Sequence, residues 1–289
     1  MKQLLILSGK GGTGKTTVAS AFIKLGEIKA FADCDVDAPN LHLVMNQSTK
    51  PQCSDYYGMP IAEIDKSLCI QCDTCREHCR FDAISVDEDG YSVDPFSCEG
   101  CGVCEAMCPS GAISLKPSVA GKMELFSGET VFSTAQLKMG SGTSGKLVTE
   151  VKKHMVDAAP KTDVAIIDGS PGIGCPVIAS LSGVHMVLIV AEPSISGISD
   201  MERIVKTARI FDVKVLVCIN KFDTNLEQTE LIKKYCKAEK INFVGLIPFD
   251  TEAVTAINQG KSVVDVDCAA GSAVKAVFEK TISLLMKES

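Results

Sequence analysis

The octet Gly9-Lys10-Gly11-Gly12-Thr13-Gly14-Lys15-Thr16 leaves this chain little choice of fold. It fits G-x-x-x-x-G-K-[ST], lying after the short apolar run Gln3–Leu7 and before the helical stretch Thr17–Lys24. Strand, glycine turn and helix in that order let backbone N–H groups converge on phosphate oxygens, and the helix N-terminus adds its positive dipole end. Lys15 is expected to reach the β- and γ-phosphates and the Thr16 hydroxyl to ligate Mg²⁺. Gly11, Gly12, Thr13, Gly14 and Thr17 complete the expected phosphate-binding set. Further apolar runs follow at Ala30–Asp35, Val164–Asp168, Met186–Ala191 and Lys214–Asn220, with a shorter one at Phe243–Ile247. Stretches of helical period such as Ile198–Ile210 and Glu227–Lys240 lie between them. This alternation predicts an α/β fold with a mostly parallel, doubly wound sheet covered on both faces.

A second feature interrupts that pattern after its second strand. Eight of the 14 cysteines fall within Cys69–Cys108. The stretch Ile61–Ser118 holds 11 acidic and 4 basic residues, which accounts for the whole formal net charge of −7. It also repeats internally, 29 residues apart: Cys69, Cys72, Cys75 and Cys79 match Cys98, Cys101, Cys104 and Cys108, and Ile64-Asp65 matches Val93-Asp94. Two copies predict a pseudo-symmetric pair rather than a solenoid. The expected division is therefore a nucleotide domain at 1–58 and 119–289 carrying an inserted module at 59–118. No basic stripe suggests nucleic acid. No apolar run approaches the roughly 20 residues of a membrane span, so no stable membrane insertion is expected. No cleavable leader pattern is visible, which predicts cytoplasmic residence. In a reducing compartment the cysteines point to metal or redox chemistry rather than disulfides.

With Lys10, the loop reads K-G-G-T-G-K-T and resembles the deviant Walker A of the MinD/ParA/Mrp group of ATPases, to which the nitrogenase Fe protein also belongs. Asp33-Cys34-Asp35-Val36-Asp37 resembles that group's switch I. Asp168-Gly169-Ser170-Pro171-Gly172 resembles its Walker B and switch II. Ile247-Pro248-Phe249-Asp250 is similar to its adenine-side loop. The resemblance implies that Lys10 reaches across an ATP-dependent homodimer to the partner's phosphates and that Asp35 orients the attacking water. It also implies that Asp168 holds Mg²⁺ through water and that the Gly172 N–H senses the γ-phosphate. Asn220, Pro248 and Asp250 are implied on the base side. Asn220-Lys221-Phe222-Asp223 also has the N-K-x-D form of guanine readers, so ATP is expected with GTP as the alternative.

Both cysteine runs, C-x2-C-x2-C-x3-C, are similar to the bacterial ferredoxin run, in which the fourth cysteine ligates the other cluster. The implied 4Fe-4S sets are Cys69, Cys72, Cys75 with Cys108, and Cys98, Cys101, Cys104 with Cys79. Zinc is the competing metal. The first copy has Arg80-Phe81 where the second has Pro109 after its fourth cysteine. Cys175 lies where the nitrogenase Fe protein carries a cluster-ligating cysteine, and its alternative is a small thiol beside a loop. Cys34 and Cys218 are expected to be buried hydrophobes. Ala273–Met286 is amphipathic and is expected to dock as a structural helix.

Together these resemblances imply an ATPase whose dimer switching is coupled to electron transfer through two 4Fe-4S clusters. The expected partner is a redox or cluster-accepting protein with a basic docking surface. An Mrp-like assembly or carrier ATPase for iron–sulfur or metal cofactors is the alternative. A MinD/ParA-like spatial organiser with structural or sensory clusters is a further one.

Overall fold

The computed structural model describes residues 1–45, 47 and 49–287. Its strands are β1 (Lys2–Leu7), β2 (Ala30–Asp33), β3 (Gln52–Tyr57), β4 (Ile61–Ile64), β5 (Ile84–Asp87), β6 (Gly90–Val93) and β7 (Ile113–Lys116). They continue with β8 (Val119–Phe126), β9 (Val131–Leu137), β10 (Val164–Asp168), β11 (Met186–Ala191), β12 (Lys214–Asn220) and β13 (Asn242–Ile247). The α-helices are α1 (Lys15–Leu25), α2 (Thr74–Glu77), α3 (Val103–Met107), α4 (Ser144–Ala158), α5 (Cys175–Leu181), α6 (Ile195–Ile210), α7 (Leu226–Ala238), α8 (Thr251–Asn258) and α9 (Ala269–Lys287). None of the described helices is long and apolar enough to cross a membrane. The chain forms two compact units, Met1–Cys53 with Met123–Gln136 and Gly145–Ser289, and Ser54–Lys122 with Leu137–Ser144.

The first unit is built on sheet strands in the order β13-β12-β11-β1-β10-β2-β9. Every pairing from β13 to β9 is parallel. A parallel sheet must bury both faces, and the strands show it: Leu4, Leu5, Ile6 and Leu7 of β1 are all fully inaccessible. Leu4 and Ile6 join a core with Val18, Phe22, Phe31, Val274 and Val277, while Leu5 and Leu7 are buried on the opposite face. The C-terminal helix docks as expected, its Phe278 meeting Phe22 edge-on at 5.1 Å between ring centroids. Phe132 of β9 stacks on Phe31 at 5.0 Å and on Phe126 at 5.5 Å.

The strand expected over Ala30–Asp35 ends at Asp33: the Cys34 N–H makes the last ladder bond, to the Asp168 carbonyl at 2.7 Å, and the Asp35 N–H donates instead to the Asp33 side chain. β8 and β9 have no counterpart among the apolar runs. Buried Ser133 and Thr134 break up the hydrophobic signal of β9.

The second unit follows the 29-residue repeat. β4, α2 and β5 of the first copy correspond to β6, α3 and β7 of the second, and each strand pairs across copies. β4 pairs antiparallel with β7 (Ile64↔Ile113) and β5 with β6 (Ile84↔Val93). The copies therefore interlock, around a small core of Ala62, Ala83, Ile84, Tyr91, Ala112 and Ile113. Three left-handed backbone positions recur at the same offset. They are Gln71, Asp73 and Asp82 in the first copy (φ 55, 63 and 49°) and Gly100, Gly102 and Gly111 in the second (φ 63, 79 and 66°). Non-glycine residues there cost roughly 1–2 kcal/mol each, so the first copy holds the same path under more strain. This unit is wider than the expected 59–118. The chain beside Ala120 belongs to it, with the Lys138 N–H donating to the Ala120 carbonyl and Tyr56 Oη to the Thr143 carbonyl.

Phe22 is wholly buried between strands and α9. Phe22→Ala should lower the unfolding free energy by about 3–5 kcal/mol in urea titrations, and a loss under about 1 kcal/mol would show that this ring is not central to the core.

Candidate functional site

The polar groups of the first unit gather at the C-terminal ends of its central strands, where open α/β sheets bind ligands. β1 ends in the glycine loop, β10 ends at Asp168 and β2 ends at Asp33, and Asp168 is in register with both Ile6 and Asp33. Gly12 and Gly14 take φ 80° and 90°, values a side chain rarely tolerates. A β-carbon on Gly14 would also collide with the Asn220 amide. Gly11 and Gly12 are exposed and face open space, as a ligand cradle requires.

Lys15 opens α1 and is almost wholly buried, with Nζ 2.5 Å from Asp168 Oδ1 and 3.4 Å from Thr16 Oγ1. Burial alone would depress its ammonium, but Asp168, with Asp33 and Asp35, carries it above its ordinary range. Asp168 Oδ2 and Thr13 Oγ1 are buried and have no partner. Such orphan atoms fit a site whose remaining ligands arrive with a nucleotide and its cation.

Asp33 is inaccessible and accepts backbone N–H groups from Asp35 (3.0 Å), Asn40 (2.9 Å) and Leu41 (2.9 Å). Burial, then repulsion from Asp168, pushes its carboxyl up to about 7. It shapes the loop that carries Asp35. Asp35 is half-buried, its carboxyl raised chiefly by burial, and Asp37 is exposed. In the segment that follows β10, the Gly172 N–H donates to the Ser8 carbonyl at 3.0 Å and Ser170 Oγ to the Cys34 carbonyl at 2.6 Å. Thr17 lies half-buried in the first turn of α1.

Lys10 is held within its own chain, 2.9 Å from Glu192 Oε2 and 3.1 Å from Ser194 Oγ. Lys221 reaches the Gly12 carbonyl at 2.9 Å and Glu192 at 3.7 Å. Glu192 and Ser194 were not singled out from the sequence, although they follow the apolar run Met186–Ala191 just as Asp168 closes its own. Asn220 donates to the Thr13 carbonyl at 2.7 Å and accepts from the Lys221 N–H, so it pins the loop. Asp223 Oδ1 accepts the Phe249 N–H at 2.8 Å, which engages the aspartate of the guanine-reader form within the chain. Asp250 caps α8 through the Glu252 and Ala253 N–H groups and also accepts from Ala270. Pro248 lies in the segment between β13 and α8.

In the second unit the eight cysteines sort into two cavities. One is lined by Cys69, Cys72, Cys75 and Cys108; the other by Cys79, Cys98, Cys101 and Cys104. The fourth cysteine of each copy has crossed to the other, because the strands pair across copies. Among the described residues no three His, Cys, Asp or Glu side chains converge on a single metal-ion position. Cys34 and Cys218 are wholly buried, and burial pushes both thiols up, Cys218 to about 12. Cys175 is exposed at the start of α5.

The model of the CobQ/CobB/MinD/ParA nucleotide binding domain family matches residues 4–263. Over 287 residues the chain is 32% identical to an uncharacterized protein of Methanocaldococcus jannaschii, covering 96% of this chain and 95% of that one. The iron-sulfur cluster carrier protein of the same organism is 21% identical over 304 residues, covering 97% and 83%. A match of 70 residues at 40% identity links the chain to an uncharacterized ferredoxin of that organism, covering 24% and 42%. Among solved structures, the septum site-determining protein MinD of Pyrococcus horikoshii OT3, complexed with Mg-ADP, has the same fold. Its TM-score is 0.59 at 17% identity, with 98% of this chain and 96% of that one covered.

Asp33 titrates near 3.8 when unfolded and near 7 when folded. Between those values the folded chain keeps a proton that the unfolded chain has lost, so this group's stabilisation declines as pH rises through the window. Urea titrations without nucleotide should show Asp33→Asn removing that part of the decline. An unchanged slope would mean that Asp33 is ionised throughout.

Proposed function

Because the chain belongs to the CobQ/CobB/MinD/ParA nucleotide binding domain family and is a P-loop ATPase, we propose that ATP-driven dimer switching is coupled here to electron transfer through two 4Fe-4S clusters. The observation that carries this reading is the sorting of the cysteines into two sets of four, each completed by the other copy. Thiolates are soft ligands suited to iron–sulfur clusters. Two complete runs of the ferredoxin spacing favour clusters over zinc. The small core of the second unit also calls for a metal staple. When bound, the clusters supply reversible one-electron transfer.

On the nucleotide side, Lys15 would exchange Asp168 for the β- and γ-phosphates. That exchange frees the Asp168 carboxylate, which with Thr16 Oγ1 is the group to hold Mg²⁺, whose chemistry is to neutralise phosphate charge. Asp35 orients the water that bonds to the γ-phosphorus as the bond to the ADP oxygen breaks. For the Gly172 N–H to reach a γ-phosphate it must leave the Ser8 carbonyl, so nucleotide state sets the second switch. Lys10 must likewise leave Glu192 and Ser194 to reach the phosphates of a second subunit, so dimerisation needs that latch released. Asn220 at the end of β12 and the segment of Pro248 and Asp250 before α8 would lie on the base side, and engagement of Asp223 by Phe249 favours adenine over guanine. A stretch of charge −7 suits a redox partner with a basic docking surface.

The carrier reading draws on the similarity to an iron-sulfur cluster carrier protein. A carrier should lose a cluster to an apo acceptor during ATP turnover, whereas an electron-transfer protein should keep both.

Anaerobically purified chain should be brown and carry about eight iron and eight sulfide per chain; a colourless zinc protein would sink the reading. Asp35→Ala should slow ATP hydrolysis by about 100-fold or more while leaving ATP binding intact. Hydrolysis at the parental rate would remove Asp35 from the mechanism.

A further inference from the structure

The interlocked repeat allows the two cysteine cavities to be compared position by position, and several of their differences act electrostatically. Thr74 lies between the second and third cysteines of the first copy, and it lines the first cavity together with Cys72. Twenty-nine residues on, the equivalent is Val103, which has no donor. Ser110 lies two residues after Cys108, with Oγ 3.6 Å from Cys108 Sγ, and the Ala112 N–H donates to the same sulfur at 3.3 Å. The residue equivalent to Ser110 is Phe81, beside Cys79. Ile70 lines the first cavity, and its equivalent in the second is Glu99, an exposed carboxylate.

These three differences favour the same side; Asp73, which lines the first cavity where Gly102 lines the second, opposes them, but its carboxylate is paired with Arg76, whose equivalent in the second copy is Glu105. Thr74 and Ser110 line the same cavity, so both hydroxyls lie beside the set Cys69, Cys72, Cys75 and Cys108. Hydrogen bonds to ligand sulfurs stabilise added negative charge and raise a cluster's potential. A neighbouring carboxylate repels added charge and lowers it, by a modest amount where solvent screens it. We infer that the chain makes its two sites unequal. The site of Cys69, Cys72, Cys75 and Cys108 is the electron's resting place, and the site of Cys79, Cys98, Cys101 and Cys104 is the stronger reductant. One electron then moves from the second site, which is oxidised, to the first, which is reduced, with no proton transferred. A one-electron donor protein of low potential replenishes the second site. Thr74, Ser110 and Glu99 set this direction without ligating metal.

The inference rests on the two-cluster reading, and a redox titration of the full-length chain followed by electron paramagnetic resonance tests each separately. The parental chain should titrate in two steps, with at least a tenfold preference of the electron for one site, or about 59 mV for a one-electron couple. Thr74→Val and Ser110→Ala should each lower the higher potential and leave the lower one in place. Glu99→Gln should raise the lower potential alone. Two clusters of equal potential would overturn the inference, as would Thr74→Val moving the lower step or neither step while iron and sulfide content stays at the parental level. A parental chain without iron and sulfide would overturn the two-cluster reading itself, and this inference with it.

Discussion

The buried ion pair between Lys15 and Asp168 is the constraint on which the nucleotide site turns. An ammonium at this depth is tolerable only with a carboxylate beside it, and breaking such a pair costs several kcal/mol, about 3–5 by general experience. The pair joins the start of α1 to the end of β10, on strands whose register is fixed by a core buried on both faces. Its presence has consequences nearby. Asp33, adjacent in register to Asp168, is pushed toward its neutral form by burial and then by the Asp168 charge, and it accepts backbone N–H groups of the loop that carries Asp35. The resting site is thus self-neutralised: Lys15 is engaged by Asp168, Lys10 by Glu192, and the Gly172 N–H by Ser8. In the proposed mechanism a nucleotide would compete for groups that already have partners, so that binding and rearrangement would be a single event.

The second unit solves a different problem. Each copy of its repeat is too small to bury its own strands, so the strands of one copy pair with those of the other. The same exchange brings Cys108 to the first three cysteines and Cys79 to the last three. Ligand sorting and strand pairing are one topological fact. The repeat is imperfect where chemistry can use it: glycine in one copy is matched by strained aspartate or glutamine in the other, and hydroxyl donors are matched by valine and phenylalanine.

Much of the candidate site was legible along the chain because it is local. A phosphate loop needs its glycines, lysine and threonine within eight residues, and an apolar strand ending in aspartate announces its own polar end. The sheet strands β1, β10, β11 and β12 were readable for the same reason, as continuous apolar runs. β9 was not, since Ser133 and Thr134 lie buried in it and mimic a solvated segment. The Glu192 contacts escaped because Lys10 and Glu192 are far apart in sequence and no spacing rule connects them. Asp250 shows the limit from the other side. The residue was picked out for the base side, and the fold employs it as the N-cap of α8.

The sequence by itself determined the chemistry on offer: a phosphate cradle, switch aspartates and two equal runs of thiols, each dictated by short-range spacing. Only the tertiary structure decided who partners whom. It gave Lys15 to Asp168, Lys10 to Glu192, Asn220 to Thr13, and all the hydroxyl donors to one cysteine cavity. The physical reason is that a buried charge or thiol is governed by whatever packing brings within a few ångströms, and that proximity is created by strand pairing across large separations in sequence.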